Sequence, residues 1–98
     1  MSYQVRLTRQ AREDIKRLYD FFSIKDVVLA RRAFENITQA MQLLEKMPFS
    51  CRKAPANDSL RELLISFGAS GYVALFRIED KEKITILTIR HQREEDYY

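Results

Sequence analysis

Residues 60–98 constrain the fold more than any other stretch, because they read as three consecutive strands that run into a polar tail. Leu60 to Phe67 is followed by Gly68-Ala69-Ser70-Gly71, which holds both glycines of the chain. Glycine permits the backbone turns that close a hairpin, so this tetrapeptide predicts one. Tyr72 to Ile78 and Ile84 to Arg90 are rich in β-branched and aromatic residues, and the polar run Glu79 to Lys83 separates them. The expectation is an antiparallel three-strand meander.

The preceding residues read as one more strand and two helices. Tyr3-Gln4-Val5-Arg6-Leu7 alternates apolar and polar residues, the period of a half-buried strand. Thr8 can cap a helix whose apolar face is Ala11, Ile15, Leu18, Tyr19 and Phe22, with Arg9, Arg12, Glu13, Lys16, Arg17 and Asp20 facing water. Ser23-Ile24-Lys25 reads as a tight connection. Asp26 can then cap a second helix carrying Ala30, Ala33, Phe34, Ile37, Ala40, Met41, Leu44 and Met47 on one stripe, which Pro48 ends. The spacing of the aromatic and methionine positions is that of ordinary core packing. Phe49 to Ser59 holds Pro55, Asn57 and Asp58 with no period and reads as a surface loop. The fold class is therefore α+β, ordered βααβββ, with a helical hairpin on a small, mostly antiparallel four-stranded sheet.

Ninety-eight residues make a single domain over 1–98. No apolar run approaches the roughly 20 residues that span a bilayer, and no hydrophobic signal core opens the chain, so a cytoplasmic protein without a membrane partner is expected. One cysteine, Cys51, and one histidine exclude an internal disulfide and a Cys/His zinc site, and no phosphate loop or other cofactor motif is present. Neither a metal nor a cofactor is expected. The formal charge of +3 is uneven: residues 1–53 carry 11 Lys/Arg against 6 Asp/Glu, and residues 54–98 carry 6 against 8. A basic N-terminal half suits acidic partners, protein or nucleic acid, although +3 is far from a dense nucleic-acid stripe.

Any chemistry must come from scattered side chains. The candidates are Arg61, Arg77, Arg90, His91, Arg93, Tyr97 and Tyr98, all on or just after the meander. His91 beside Arg90 and Arg93 has the composition of a general base with phosphate-steadying cations, as cleavage of RNA by its own 2′-hydroxyl requires. Tyr97 could stack on a base or supply a proton. Equally, a lone histidine at a strand end serves structure, rim arginines lie over apolar surface, and Glu94-Glu95-Asp96 repels a polyanion. Cys51 has no visible activating base and is not expected to be a nucleophile.

Four segments together resemble the RelE/ParE superfamily, the toxins of type II toxin-antitoxin modules also called plasmid stabilisation proteins. They are Ala11-x-x-Asp14-Ile15-x-x-Leu18-Tyr19, Leu60-Arg61-Glu62-Leu63, Gly71 to Ile78, and Ile86 to Glu94. The resemblance implies the same βααβββ arrangement, growth arrest as the outcome, and one of two targets. ParE-like members poison DNA gyrase, whereas RelE-like members enter the ribosome and cleave mRNA without a metal. The ribonuclease branch carries a basic residue after the tyrosine that opens the third strand; here that position is Val73. It also places a basic residue six positions before a C-terminal tyrosine, a spacing that His91 and Tyr97 keep. The Arg90-His91-Gln92-Arg93-Glu94 tail is more similar to the ParE-like subgroup.

The leading expectation is thus a non-enzymatic gyrase poison neutralised by a cognate antitoxin, with Arg61, Arg77, Arg90 and Arg93 as target- or phosphate-binding candidates. The alternative is a ribosome-dependent endoribonuclease using His91, Arg77, Arg93 and Tyr97, with the ribosome and mRNA as partners. A second alternative is an inactive antitoxin-binding module. The antitoxin implied is a disordered acidic and apolar segment that folds as a helix or an added strand on this surface, in a hetero-oligomer.

Overall fold

A computed structural model describes residues 2–67 and 70–92, with the side chains of residues 67 and 70 left aside. Strand β1, Gln4–Leu7, leads into helices α1, Arg9–Lys25, and α2, Val27–Lys46. A short 3₁₀ turn, Pro48–Ser50, precedes strands β2, Arg52–Ala54, β3, Asn57–Phe67, β4, Ser70–Ile78, and β5, Lys83–His91. The five strands form one sheet in the order β1-β5-β4-β3-β2. Strand β1 runs parallel to β5, and every other pairing is antiparallel.

The expected four-stranded sheet is therefore a five-stranded mixed one. The extra strand, β2, lies within the stretch that reads as a loop. It has three residues, two of them charged and exposed, and Pro55 follows it. Short, charged edge strands resist pairing with other chains, and for the same reason they carry no apolar period to read. The helical connection is also tighter than expected, since Ser23, Ile24 and Lys25 belong to α1 and only Asp26 separates the helices. Asp26 serves both: its N–H donates to the Phe22 carbonyl and its carboxylate accepts from the Val28 N–H.

The hairpin covers one sheet face, with Ala11, Leu18, Ala33, Ile37 and Leu44 packing against Leu63, Ile65, Tyr72, Ala74, Phe76, Ile84, Ile86 and Ile89. Buried alanines at 11, 30 and 33 let backbones approach closely. Three expected core positions are instead exposed. Tyr19 and Phe34 meet edge to face on the outside of the hairpin at 6.4 Å, and Met47 lies beyond the last packed turn. The stripe is wider than the area the sheet can cover.

Gly71 does not lie in the hairpin turn but in β4, paired with Ser66. A Cβ there would stand 2.4 Å from the Ile65 carbonyl oxygen, so close strand approach explains this glycine. Gly68 and Ala69 lie outside the described residues.

Candidate functional site

The end of β5 is organised by a bulge. Leu75 pairs with Thr88 but Phe76 pairs with Ile86, leaving Leu87 as the additional residue. Before the bulge Ile84 and Ile86 enter the core; after it Ile89 does. Side chains alternate across a strand, so Thr88 and Arg90 are turned to the open sheet face and His91 to the helix side.

Side chains of α1 hold this segment where β1 stops. Strand β1 pairs with β5 only as far as Leu7 and Ile86. Beyond that point Thr8 takes over: its N–H donates to the Ile86 carbonyl at 3.0 Å and its hydroxyl to the Leu87 carbonyl at 2.7 Å. The same hydroxyl accepts the Ala11 N–H as the helix cap. Asp14, 1% exposed, accepts the Ile89 N–H at 2.9 Å, Gln10 donates to its other oxygen, and Arg17 reaches the Ile89 carbonyl at 3.4 Å. One helix face thus continues the β-ladder with side chains. Arg17, expected in water, is half-buried by this role.

His91 is half-buried and meets the Tyr72 ring edge to face at 5.8 Å; Tyr72 meets Phe22 likewise at 6.2 Å. Burial pushes the Tyr72 phenol up to about 12. Gln92 donates its N–H to the Gly71 carbonyl, and an Arg90 guanidinium nitrogen lies 3.3 Å from the His91 carbonyl and 3.4 Å from that of Gln92. The Arg90 guanidinium folds over the end of its own strand.

The candidate cations do not converge. Arg61 donates to the Cys51 carbonyl at 2.6 Å and stacks 5.2 Å from the Phe49 ring, fastening the chain before β2. Arg77 is exposed on the open face, with Glu79 3.9 Å away. Arg90 pairs with Val73, four residues from Arg77 along β4, or about 13 Å at roughly 3.3 Å per residue. Val73 itself is buried. Arg93, Tyr97 and Tyr98 lie outside the described residues. Cys51 is buried; desolvation raises its thiol pKa, only partly opposed by the Ser50 hydroxyl and Arg61. No group of three or more His, Cys, Asp or Glu among the described residues is arranged to hold a metal ion.

Sequence reasoning passed over Thr8, Asp14 and Arg17 as a set, and the Arg52–Glu62 ion pair at 2.9 Å, in which the carboxylate is buried and the guanidinium exposed. Asp14 did leave a signal. It sits three residues after Ala11 and four before Leu18, inside the apolar stripe, where a carboxylate requires a buried partner.

A second surface is apolar. At the tip of the hairpin Phe21, Ile24, Val27 and Val28 are all exposed, Ile24 at 85%, with Lys25 4.9 Å over the Phe21 ring and Arg31 and Arg32 exposed on the next turn. Contiguous apolar surface with a charged rim marks contact with another macromolecule.

The family model for the ParE toxin of the type II toxin-antitoxin system parDE matches residues 5–96. The chain belongs to the ParE toxin family. It is accordingly a type II toxin of the RelE/ParE superfamily. Toxin RelE3 of Caulobacter vibrioides is 34% identical to this ParE-family chain over 91 residues, spanning 92% of the chain and 95% of that protein. Among solved structures, the chromosomal ParDE system of P. aeruginosa superposes with a TM-score of 0.77 at 23% identity, covering 92% of this chain and 96% of that one. The toxin–antitoxin complex RelBE2 of Mycobacterium tuberculosis gives 0.64 at 23%, covering 94% and 100%. At that identity the likeness is one of fold: two helices over a mixed sheet. No helix among the described residues is long and apolar enough to cross a membrane.

Proposed function

We propose that this ParE-family toxin arrests growth by binding DNA gyrase, and that a cognate antitoxin neutralises it. The observation that carries the reading is the dispersal of the cations. Arg77 and Arg90 stand about 13 Å apart on the open face at roughly 3.3 Å per residue, His91 is turned to the helix side against Tyr72, and Arg61 is spent on the Cys51 carbonyl. A phosphoryl-transfer site needs its base and its phosphate clamp around one reacting group. A binding poison needs only surface, and the hairpin tip offers an apolar one with a basic rim.

The test is gyrase with ATP, relaxed plasmid and the purified toxin, read as supercoiled and linear products. Lost supercoiling or accumulated linear DNA is expected. Unchanged gyrase activity from a protein that still arrests growth sinks the reading.

A ribosome-dependent endoribonuclease is the second reading, favoured by the RelE3 relative and by a histidine packed at the end of β5. His91→Ala separates the two. Growth arrest that survives the substitution supports a binding poison, and arrest that is lost without loss of fold supports cleavage.

A further inference from the structure

We infer that the tip of the helical hairpin is where this toxin seats on gyrase: Phe21 and Ile24 enter an apolar cleft of the enzyme, and Lys25, Arg31 and Arg32 meet acidic side chains at its rim. This rests on the gyrase reading above and adds to it the contact surface and the chemistry of its counterpart.

The tip is preformed. Asp26 alone joins α1 to α2, with its N–H bonded to the Phe22 carbonyl, its carbonyl to the Ala30 N–H and its carboxylate to the Val28 N–H at 2.8 Å. A one-residue connection tied down at each of its polar groups leaves the apex little freedom to lose on binding.

Phe21 is fixed as firmly. Its ring, 52% exposed, packs edge to face on Phe22 at 5.4 Å, and Phe22 packs likewise on the fully buried Tyr72 at 6.2 Å. An aromatic side chain backed by the core and open on its other side is an anchor whose ordering is already done, the kind of residue that dominates an interface. Ile24 stands almost wholly clear of the fold, with Val27 and Val28 half exposed beside it. Such a surface projects, so its counterpart is concave.

The rim selects an acidic counterpart. Lys25, Arg31 and Arg32 are exposed around the apolar residues. The two carboxylates nearest the apex are engaged within the chain, Asp20 with Lys16 at 2.6 Å and Asp26 with the Val28 N–H. Glu35 stands a turn further along α2 than Arg31. Cations left facing outward draw in an acidic surface and oppose a second copy of the tip.

The full toxin is titrated into gyrase with ATP and relaxed plasmid at two salt concentrations, binding kinetics are recorded, and toxin in which Phe21 is replaced by the photo-crosslinking analogue benzoylphenylalanine is irradiated in the same mixture. Expected are a crosslink to a gyrase subunit and, for Ile24→Glu, a half-inhibitory concentration at least about tenfold higher. The double variant Arg31→Glu, Arg32→Glu should associate more slowly and with a flatter salt dependence. Arg12→Glu, an exposed charge reversal on α1 about 13 Å from Phe21 at roughly 1.5 Å per residue, should inhibit like the wild type. Wild-type inhibition by Ile24→Glu and by the double variant, each with an unchanged circular dichroism spectrum, overturns this site while leaving the gyrase reading intact. A wild-type toxin that leaves gyrase activity unchanged defeats the gyrase reading and the occupant with it. Tip variants that inhibit gyrase normally but no longer bind the product of the adjacent reading frame assign the tip to the antitoxin instead, and a toxin dimer that Ile24→Glu abolishes assigns it to a second copy.

Discussion

At the scale of single residues, two positions carry consequences out of proportion to their size. Gly71→Ala places a methyl group against the Ile65 carbonyl at the heart of the β3–β4 pairing, and neither strand can yield freely. A loss of roughly 1–3 kcal/mol is expected, the usual cost of overpacking, measurable as a lower urea midpoint. Tyr72 bears on the alkaline limit. Its folded pKa of about 12 exceeds the ordinary value of 10.0 because burial disfavours the phenolate. The unfolded chain then releases this proton first, so the stabilisation is complete below about pH 10 and is lost as pH rises towards about 12. Absorbance titration should show one of the five tyrosines ionising late, and Tyr72→Phe should remove that phase.

At the scale of elements, the join between α1 and β5 is made by side chains. A parallel partner strand stops at Leu7, and the first turns of the next helix supply the missing hydrogen bonds through Thr8, Asp14 and Arg17. Asp14→Ala removes a buried acceptor and leaves the Ile89 N–H without it, for which about 1–3 kcal/mol is expected in chemical denaturation. Thr8→Ala loses a helix cap and the Leu87 contact together, about 1–2 kcal/mol, and Thr8→Ser restores most of it. Both losses should appear as faster amide exchange after Leu87, ahead of global unfolding. The bulge explains why these bonds matter, since it alone decides that Arg90 meets the open face and His91 the helices.

At the scale of the whole molecule, the hairpin covers one sheet face and, among the described residues, presents exposed apolar side chains at its tip. Ile24→Glu should leave stability within about 0.5 kcal/mol, because the side chain is 85% exposed and packs on nothing that needs it. On the gyrase reading the same change should weaken inhibition, which the supercoiling assay reports directly.

Periodicity determined the two helices, the first strand and the meander, because a buried face must repeat at 3.6 or 2 residues to be buried at all. Residue order at Ala11 to Tyr19, Leu60 to Leu63, Gly71 to Ile78 and Ile86 to Glu94 was sufficient to reach the superfamily. Tertiary structure decided the rest. Strand β2 has too few residues for a period, and the core boundary left Tyr19, Phe34 and Met47 outside because it depends on how far the sheet extends beneath each helix. The candidate cations lay near one another along the chain, yet a single inserted residue at Leu87 inverts the facing of everything after it. Arg61 found backbone carbonyls 10 and 12 residues back. Alternation along a strand is a local property, but the register and the bulges that give it a direction exist only once the neighbouring strand is in place.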